Sequence, residues 1–161
     1  MAVYFFDSSG IVKRYVEEKG TSWVLDISDP IVGNHIYLAR IAGVEVISAL
    51  TRQKASGNLP EPTATTAIVQ FRHDLTHQYR LIEITAILVE RAMTLAEAHS
   101  LRGYDAVQLA AALEVHRCCL ALGMPALTLI SADTALNTAA LAEGLLVEDP
   151  NDKVVAGTEE E

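Results

Sequence analysis

Cysteine, aromatic residues and long apolar runs are all scarce in this 161-residue chain, and each scarcity removes a class of answer. The two cysteines, Cys118 and Cys119, are adjacent. Neighbouring positions on a helix do not face each other, so a mutual disulfide is not expected. Neither count nor spacing fits a zinc site. They read as small buried thiols in a reducing compartment. Aromatics make up only 6% of residues against 50% hydrophobic, so the core must be built from Ala, Leu, Val and Ile. Trp23 and the tyrosines do not alternate with basic residues in the manner that grips single strands, and they read as core or interface. No apolar stretch approaches the roughly 18 residues of a membrane helix. The N-terminus lacks the basic region and apolar segment of a signal peptide, so a cytoplasmic location is expected. A mean hydropathy of +0.24 points to extra buried surface, such as a homodimer interface.

Positive charge is also in short supply. The net charge is −9, which at first argues against polyanionic partners. Its distribution reverses that reading. The segment from Glu148 onward holds six acids and one lysine. Four further acids, Asp7, Glu45, Asp105 and Asp133, stand out by position. The remaining residues balance, with eleven basic against eleven acidic. Attraction to phosphate depends on local patches rather than the total. Lys13, Arg14, Arg40, Arg52, Lys54 and Arg102 lie near those four acids in sequence, although a solvated face would look the same.

Strands alternate with helices along the chain. Residues 2–6 read as a buried strand and 8–18 as a helix, followed by a short helix over 21–27. Pro30 breaks the chain, and 31–38 reads as a strand. A helix over 40–55 stops at Ser56-Gly57-Asn58-Leu59-Pro60. Another starts near Pro62, with Ala64, Ala67, Ile68, Phe71 and Leu75 on one stripe. A strand over 79–84 leads to Thr85, a cap for a helix running to about Leu101. Residues 104–122 are apolar on nearly every face, so that helix is central, and Gly123 and Pro125 end it. A strand over 126–132, a helix over 134–143 and a strand over 145–148 complete the series. This alternation predicts an α/β fold: a three-layer α/β/α sandwich with a central, mostly parallel sheet. One domain is expected over 1–149, with a disordered acidic tail at 150–161.

The four acids carry the chemistry. Asp7 ends the first strand and Asp133 follows the strand near 130. In parallel α/β sheets, ligands bind beyond the carboxyl ends of the strands. Asp105 opens the central helix, and Glu45 interrupts the apolar helical stretch Val44-Glu45-Val46-Ile47. Acids in apolar surroundings are costly unless compensated. Gathered together they also repel, by roughly 4 kcal/mol for two charges about 4 Å apart at an effective dielectric near 20. A divalent metal with oxygen ligands is the simplest compensation. Taken singly, Asp7, Asp105 and Asp133 are equally well read as helix N-caps. Glu45 cannot be a cap; its plain alternative is an exposed position beside Ser48 and Arg52. His73 and His77 have a metal-binding spacing but no third ligand, and read as a solvated helix face.

The segments Asp7-Ser8-Ser9-Gly10-Ile11-Val12-Lys13-Arg14-Tyr15, Val44-Glu45-Val46-Ile47-Ser48-Ala49-Leu50, Arg102-Gly103-Tyr104-Asp105-Ala106-Val107-Gln108-Leu109-Ala110-Ala111-Ala112 and Ser131-Ala132-Asp133 together resemble the PIN-domain family, and within it the VapC-type toxin ribonucleases. The likeness spans about residues 2–148 with order and spacing kept. It implies the three-layer fold, Mg²⁺ or Mn²⁺ as cofactor, RNA cleavage, a homodimer, and a small antitoxin protein whose tail fills the groove. It places the family's metal-binding, catalytic acids at Asp7, Glu45, Asp105 and Asp133, and its hydroxyl at Ser131. The chain departs from the pattern at Ala39-Arg40-Ile41-Ala42-Gly43, where many relatives carry polar residues; that departure bears on substrate choice and rate.

From the residues, Asp7 and Asp133 are expected to hold the principal metal. Asp105 would complete or bridge the site, and Glu45 would hold a second metal or a water. Ser9 and Ser131 would orient the carboxylates. Lys13, Arg14, Arg40 and Arg102 are the candidate RNA contacts. Three other readings compete. A metal-dependent adhesion module needs Asp-x-Ser-x-Ser, and Ile11 stands where the second serine belongs. A haloacid-dehalogenase-type phosphatase needs Asp-x-Asp, and Ser9 occupies the second position. A PIN-fold scaffold binding protein or RNA with little or no cleavage fits the same acids.

Overall fold

The computed structural model describes residues 1–153. Its sheet contains β1 (Val3–Phe6), β2 (His35–Ala39), β3 (Arg80–Ile82), β4 (Leu127–Ile130) and β5 (Leu146–Glu148). The strand order is β3-β2-β1-β4-β5, and every pairing is parallel. Parallel neighbours require crossovers, and the helices that make them cover both sheet faces. They are α1 (Ser8–Ile11), α2 (Thr21–Ser28), α3 (Ile41–Ala55), α4 (Glu61–His77), α5 (Ala86–His99), α6 (Gly103–Ala121) and α7 (Thr134–Ala142). The expected α/β/α sandwich is therefore present.

Alternation along the strands builds two cores. Val3 and Phe5 of β1, with Leu127 and Leu129 of β4, pack beneath α5, α6 and α7. Phe6, Ile36, Leu38 and Ile130 point the other way, into a second core closed by α1 to α4. Successive side chains on a strand alternate faces, so four-residue strands feed both layers. The helix α6 runs along the first core, with Leu109, Ala110, Ala111, Ala112 and Val115 buried in sequence. Its small residues let it approach α5 and the sheet closely. Leu122 caps it, and Gly123 turns away at φ 69°. Thr85 caps α5, its Oγ1 accepting from Leu88 N at 3.2 Å. Cys119 is buried and Cys118 exposed, both as free thiols. No helix among the described residues is long and apolar enough to cross a membrane.

The expectation of two buried thiols holds for Cys119 but not for the exposed Cys118. Three further expectations need correction. The helix read over 8–18 is the single turn α1 and then a 3₁₀ turn at Val12–Arg14. The strand read over 31–38 begins only at His35. Before it, Asp29 accepts from Ile31 N at 2.9 Å, Pro30 opens a 3₁₀ turn and Gly33 closes it at φ 75°. Turn chemistry overrides the apolar character of Ile31, which is 92% exposed. The folded body also extends past 149. Pro150 is buried, and Lys153 pairs with Glu148 at 2.7 Å and lies over the Trp23 ring. The remainder of the expected acidic tail, 154–161, lies outside the described residues.

Candidate active site

The adjacent strands β1 and β4 run in register, Phe6 opposite Ile130, so the residues after them emerge side by side. Asp7 N donates to Ile130 O at 3.2 Å and fixes that exit. The chain then turns into α1 with Gly10 pressed against β4. A Cβ at Gly10 would stand 2.5 Å from Ile130 O. Only glycine allows this approach, which explains its place in the Asp7-Ser8-Ser9-Gly10 segment.

Asp7 is 3% exposed. Its Oδ1 accepts from Ser9 Oγ at 2.7 Å and Gly10 N at 3.0 Å. Burial first, and the charge of neighbouring Glu45 after it, raise its carboxyl to about 7 despite these donors and Ser131. Ser9 Oγ also accepts from Ala132 N at 2.9 Å, which ties the β1 exit to the β4 exit. Ser131 is fully buried, and its Oγ accepts from Asp133 N at 3.1 Å. Asp133 Oδ1 accepts from Leu136 N at 2.8 Å, so this acid does cap α7. Asp7 caps α1 in the same way. Capping and a place in the site therefore coexist in both residues. Asp105 does not act as a cap: it lies within the first turn of α6, after Arg102.

Glu45 reaches the same region from α3. Its Oε2 accepts from Ser8 Oγ at 3.0 Å and its Oε1 from Gln108 Nε2 at 2.8 Å. The exposed-face alternative for Glu45 thus fails. Asp105 lies one turn before Gln108 on α6. Burial raises its carboxyl first, then the charges of Asp133 and Glu45, while Arg102 lowers it. These mutual influences place all four acids in one electrostatic neighbourhood. A cleft of about 470 Å³ adjoins Glu45, lined also by Ser8, Ser9, Ser48, Arg52 and Tyr104 among others.

The basic residues fare differently. Lys13 is 5% exposed and pairs with Glu18 at 3.1 Å, so it is not free to meet phosphate from solvent. Arg14 donates to Gln78 Oε1 at 2.8 Å and Tyr79 Oη at 2.7 Å, and lies 3.7 Å from Asp74. Tyr15 donates to the same Asp74 at 2.7 Å. Both residues clamp the 3₁₀ turn to α4, so the Arg14 guanidinium proposed for RNA is engaged within the protein. Arg40 is exposed, but Glu83 accepts from its Nε through both carboxylate oxygens, at 2.7 and 2.8 Å. Arg102 is exposed beside Asp105 and forms no ion pair among the described residues. His73 and His77 stack at 4.3 Å, with His77 Nδ1 against His73 O, as a helix-face pair.

Two site residues escaped the sequence reading. Ser8 lay inside the first motif, between its acid and Ser9, with nothing to separate its role. Gln108 had a usable signal: it is the one polar residue in Ala106–Ala112, and it stands i+3 from Asp105.

The donor set suits a hard divalent cation, since four carboxylates and nearby hydroxyls match Mg²⁺ or Mn²⁺. The raised carboxyls of Asp7 and Asp105 express a penalty that such a cation would remove. The side chains converge without closing. Among the described residues no three His, Cys, Asp or Glu side chains are grouped so as to hold a metal ion. Asp7, Glu45 and Asp133 are each engaged by protein donors instead.

No family model matches the chain. Individual relatives do. Two ribonucleases of Mycobacterium tuberculosis, VapC45 (strain CDC 1551 / Oshkosh) and VapC49 (strain ATCC 25618 / H37Rv), are each 34% identical to it over 147 residues, covering 91% of this chain and 95% of theirs. The chain belongs to the VapC ribonuclease family. Solved structures share the fold. PAE2754 from Pyrobaculum aerophilum superposes with a TM-score of 0.62 at 13% identity, covering 94% of this chain and 85% of that one. A toxin–antitoxin complex from Klebsiella pneumoniae gives 0.58 at 21%, covering 93% and 98%. Mycobacterium tuberculosis VapC20, described as a sarcin–ricin loop cleaving toxin, gives 0.58 at 17%, covering 89% and 96%. The PIN-type, VapC-like resemblance noted from the motifs is thereby established for this chain.

Proposed function

We propose that this chain is a divalent-metal-dependent endoribonuclease and the toxin of a toxin–antitoxin pair. The observation that carries the reading is the electrostatic coupling among acids from four separate segments, Asp7 with Glu45 and Asp105 with both Asp133 and Glu45, near the carboxyl ends of β1 and β4. Asp7 and Asp133 would hold the principal Mg²⁺ or Mn²⁺, Asp105 would complete its shell, and Glu45 would face a second cation or a water. Such a cation lowers the pKa of water and relieves charge on the phosphate. The protein's own part is orientation. Ser9 and Gly10 fix one oxygen of Asp7, and Ser8 and Gln108 fix Glu45 from opposite sides. Ser131 orders the Asp133 backbone and borders Asp7. Arg102 and Arg52 flank the acids and are the basic residues open to RNA phosphates.

The antitoxin partner is supported by the toxin–antitoxin complex among the structural neighbours. A homodimer is supported by exposed Val89, Met93 and Tyr104, which line an apolar groove of about 430 Å³ between α5 and α6. One observation favours a second reading, a scaffold that binds protein or RNA with little cleavage: the acids do not form a closed ligand group among the described residues. Incubating the purified protein with a mixed RNA pool in Mg²⁺, Mn²⁺ or EDTA separates the two. Cleavage that EDTA abolishes supports the nuclease; no cleavage in any condition supports the scaffold.

A further inference from the structure

Gln108 is polar, 1% exposed, and surrounded by the most apolar part of α6. Burying a carboxamide there costs stability unless both its ends are partnered. One end is: Nε2 donates to Glu45 Oε1 at 2.8 Å. The other is not, because Gln108 Oε1 is buried without a hydrogen-bond partner. Turning the amide over would set its oxygen against the Glu45 carboxylate, so the orientation is fixed by charge. An acceptor orphaned in this way is destabilising, because its lost hydration is not replaced. An apolar side chain of the same length would avoid that cost.

We propose that Gln108 is a positioning residue of the ribonuclease site: it aims Glu45 at the cation and keeps a buried acceptor for a hydrogen-bond donor that enters with it, such as a water. This rests on the metal-dependent reading above. The geometry explains why a glutamine serves where leucine would pack better. Ser8 restrains Glu45 from the α1 side and Gln108 from the α6 side, so the carboxylate is held between two elements that each carry another site acid nearby. Asp7 precedes Ser8, and Asp105 lies one turn before Gln108. Removing such an outer partner typically weakens metal affinity about 10–100-fold.

Mn²⁺ titration followed by the electron paramagnetic resonance of the free ion tests this without reference to activity. Four proteins are compared: wild type, Gln108→Met, Glu45→Gln and the double variant. Methionine keeps the length and removes both hydrogen-bonding ends. The expected result is a loss of tenfold or more for Gln108→Met in the wild-type background, and no further loss when Glu45 is already Gln. The metal-free melting temperature of Gln108→Met should equal or exceed that of wild type. A loss of the same size in both backgrounds, or no loss in either, would overturn the proposal, as would a fall in metal-free melting temperature that accounts for the weaker binding. If the methionine variant does not fold, Gln108→Asn, whose amide is one methylene too short to reach Glu45, is read by the same criteria. Absence of saturable Mn²⁺ binding by the wild type would instead overturn the metal-dependent reading itself, and the Gln108 proposal with it.

Discussion

Replacing Asp7 with asparagine should destroy RNA cleavage and stabilise the metal-free fold. Asp7 is buried, and its carboxyl is raised from 3.8 to about 7. A carboxyl whose folded pKa exceeds its unfolded one binds its proton more tightly in the folded state. Stability therefore falls as pH rises from the unfolded value through about 7, and levels off above it. A rise from 3.8 to about 7 corresponds to about 4 kcal/mol lost by pH 8. Asparagine carries no charge, so Asp7→Asn escapes that loss. Its Oδ1 can still accept from Ser9 and Gly10, while its Nδ2 lacks an acceptor at a cost of about 1–3 kcal/mol. The net gain at pH 8 is then about 1–3 kcal/mol, or roughly 5 °C in melting temperature for a chain of this size. Between pH 5 and pH 8 the gap between variant and wild type should widen by about 2–3 kcal/mol. Thermal unfolding in EDTA at both pH values measures it. A variant less stable than wild type at pH 8, or a gap that does not change with pH, would refute the argument from burial.

Other substitutions test the rest of the account. Gly10→Ala places a methyl 2.5 Å from Ile130 O and forces α1 off β4; a loss of about 1–3 kcal/mol is expected in chemical denaturation, with reduced cleavage because Asp7 and Ser8 move together. Arg14→Met leaves buried Asp74 without its nearby cation and should destabilise by about 3 kcal/mol, yet the salt dependence of RNA binding should match wild type if Arg14 is held by Gln78, Tyr79 and Asp74 rather than by phosphate. Arg102→Ala should do the opposite: unfolding stays unchanged, and the slope of log affinity against log salt falls by about 0.7 for a single-stranded RNA.

The strands, the long helices and the parallel architecture were legible because periodicity and breakers agreed there. Where they conflicted, the pattern misled. Ile31 looked like strand, but Asp29, Pro30 and Gly33 impose a turn. Ile11, Val12, Tyr15 and Val16 looked like one helix. In the fold, Gly10 is pinned against β4, and Arg14 and Tyr15 are held by Gln78, Tyr79 and Asp74, so the segment tightens after one turn. These are long-range contacts, which local spacing does not encode. The four acids stood out because each sits at an element end or inside an apolar helix. Lys13 and Arg14 were assigned from proximity in sequence, which says nothing of direction; both point into the protein. Gln108 could have been singled out as the lone polar residue among alanines and leucines, one turn from Asp105.

The central claim is that the four carboxylates act as one metal-dependent centre for RNA hydrolysis. Its most direct test compares cleavage of one RNA pool in Mn²⁺ by wild type and by Asp7→Asn, Glu45→Gln, Asp105→Asn and Asp133→Asn, each checked for folding. The account predicts cleavage by wild type, its abolition by EDTA, and a loss of at least about 100-fold in every variant. Wild-type rates in any of the four, or cleavage that persists in EDTA, would contradict it.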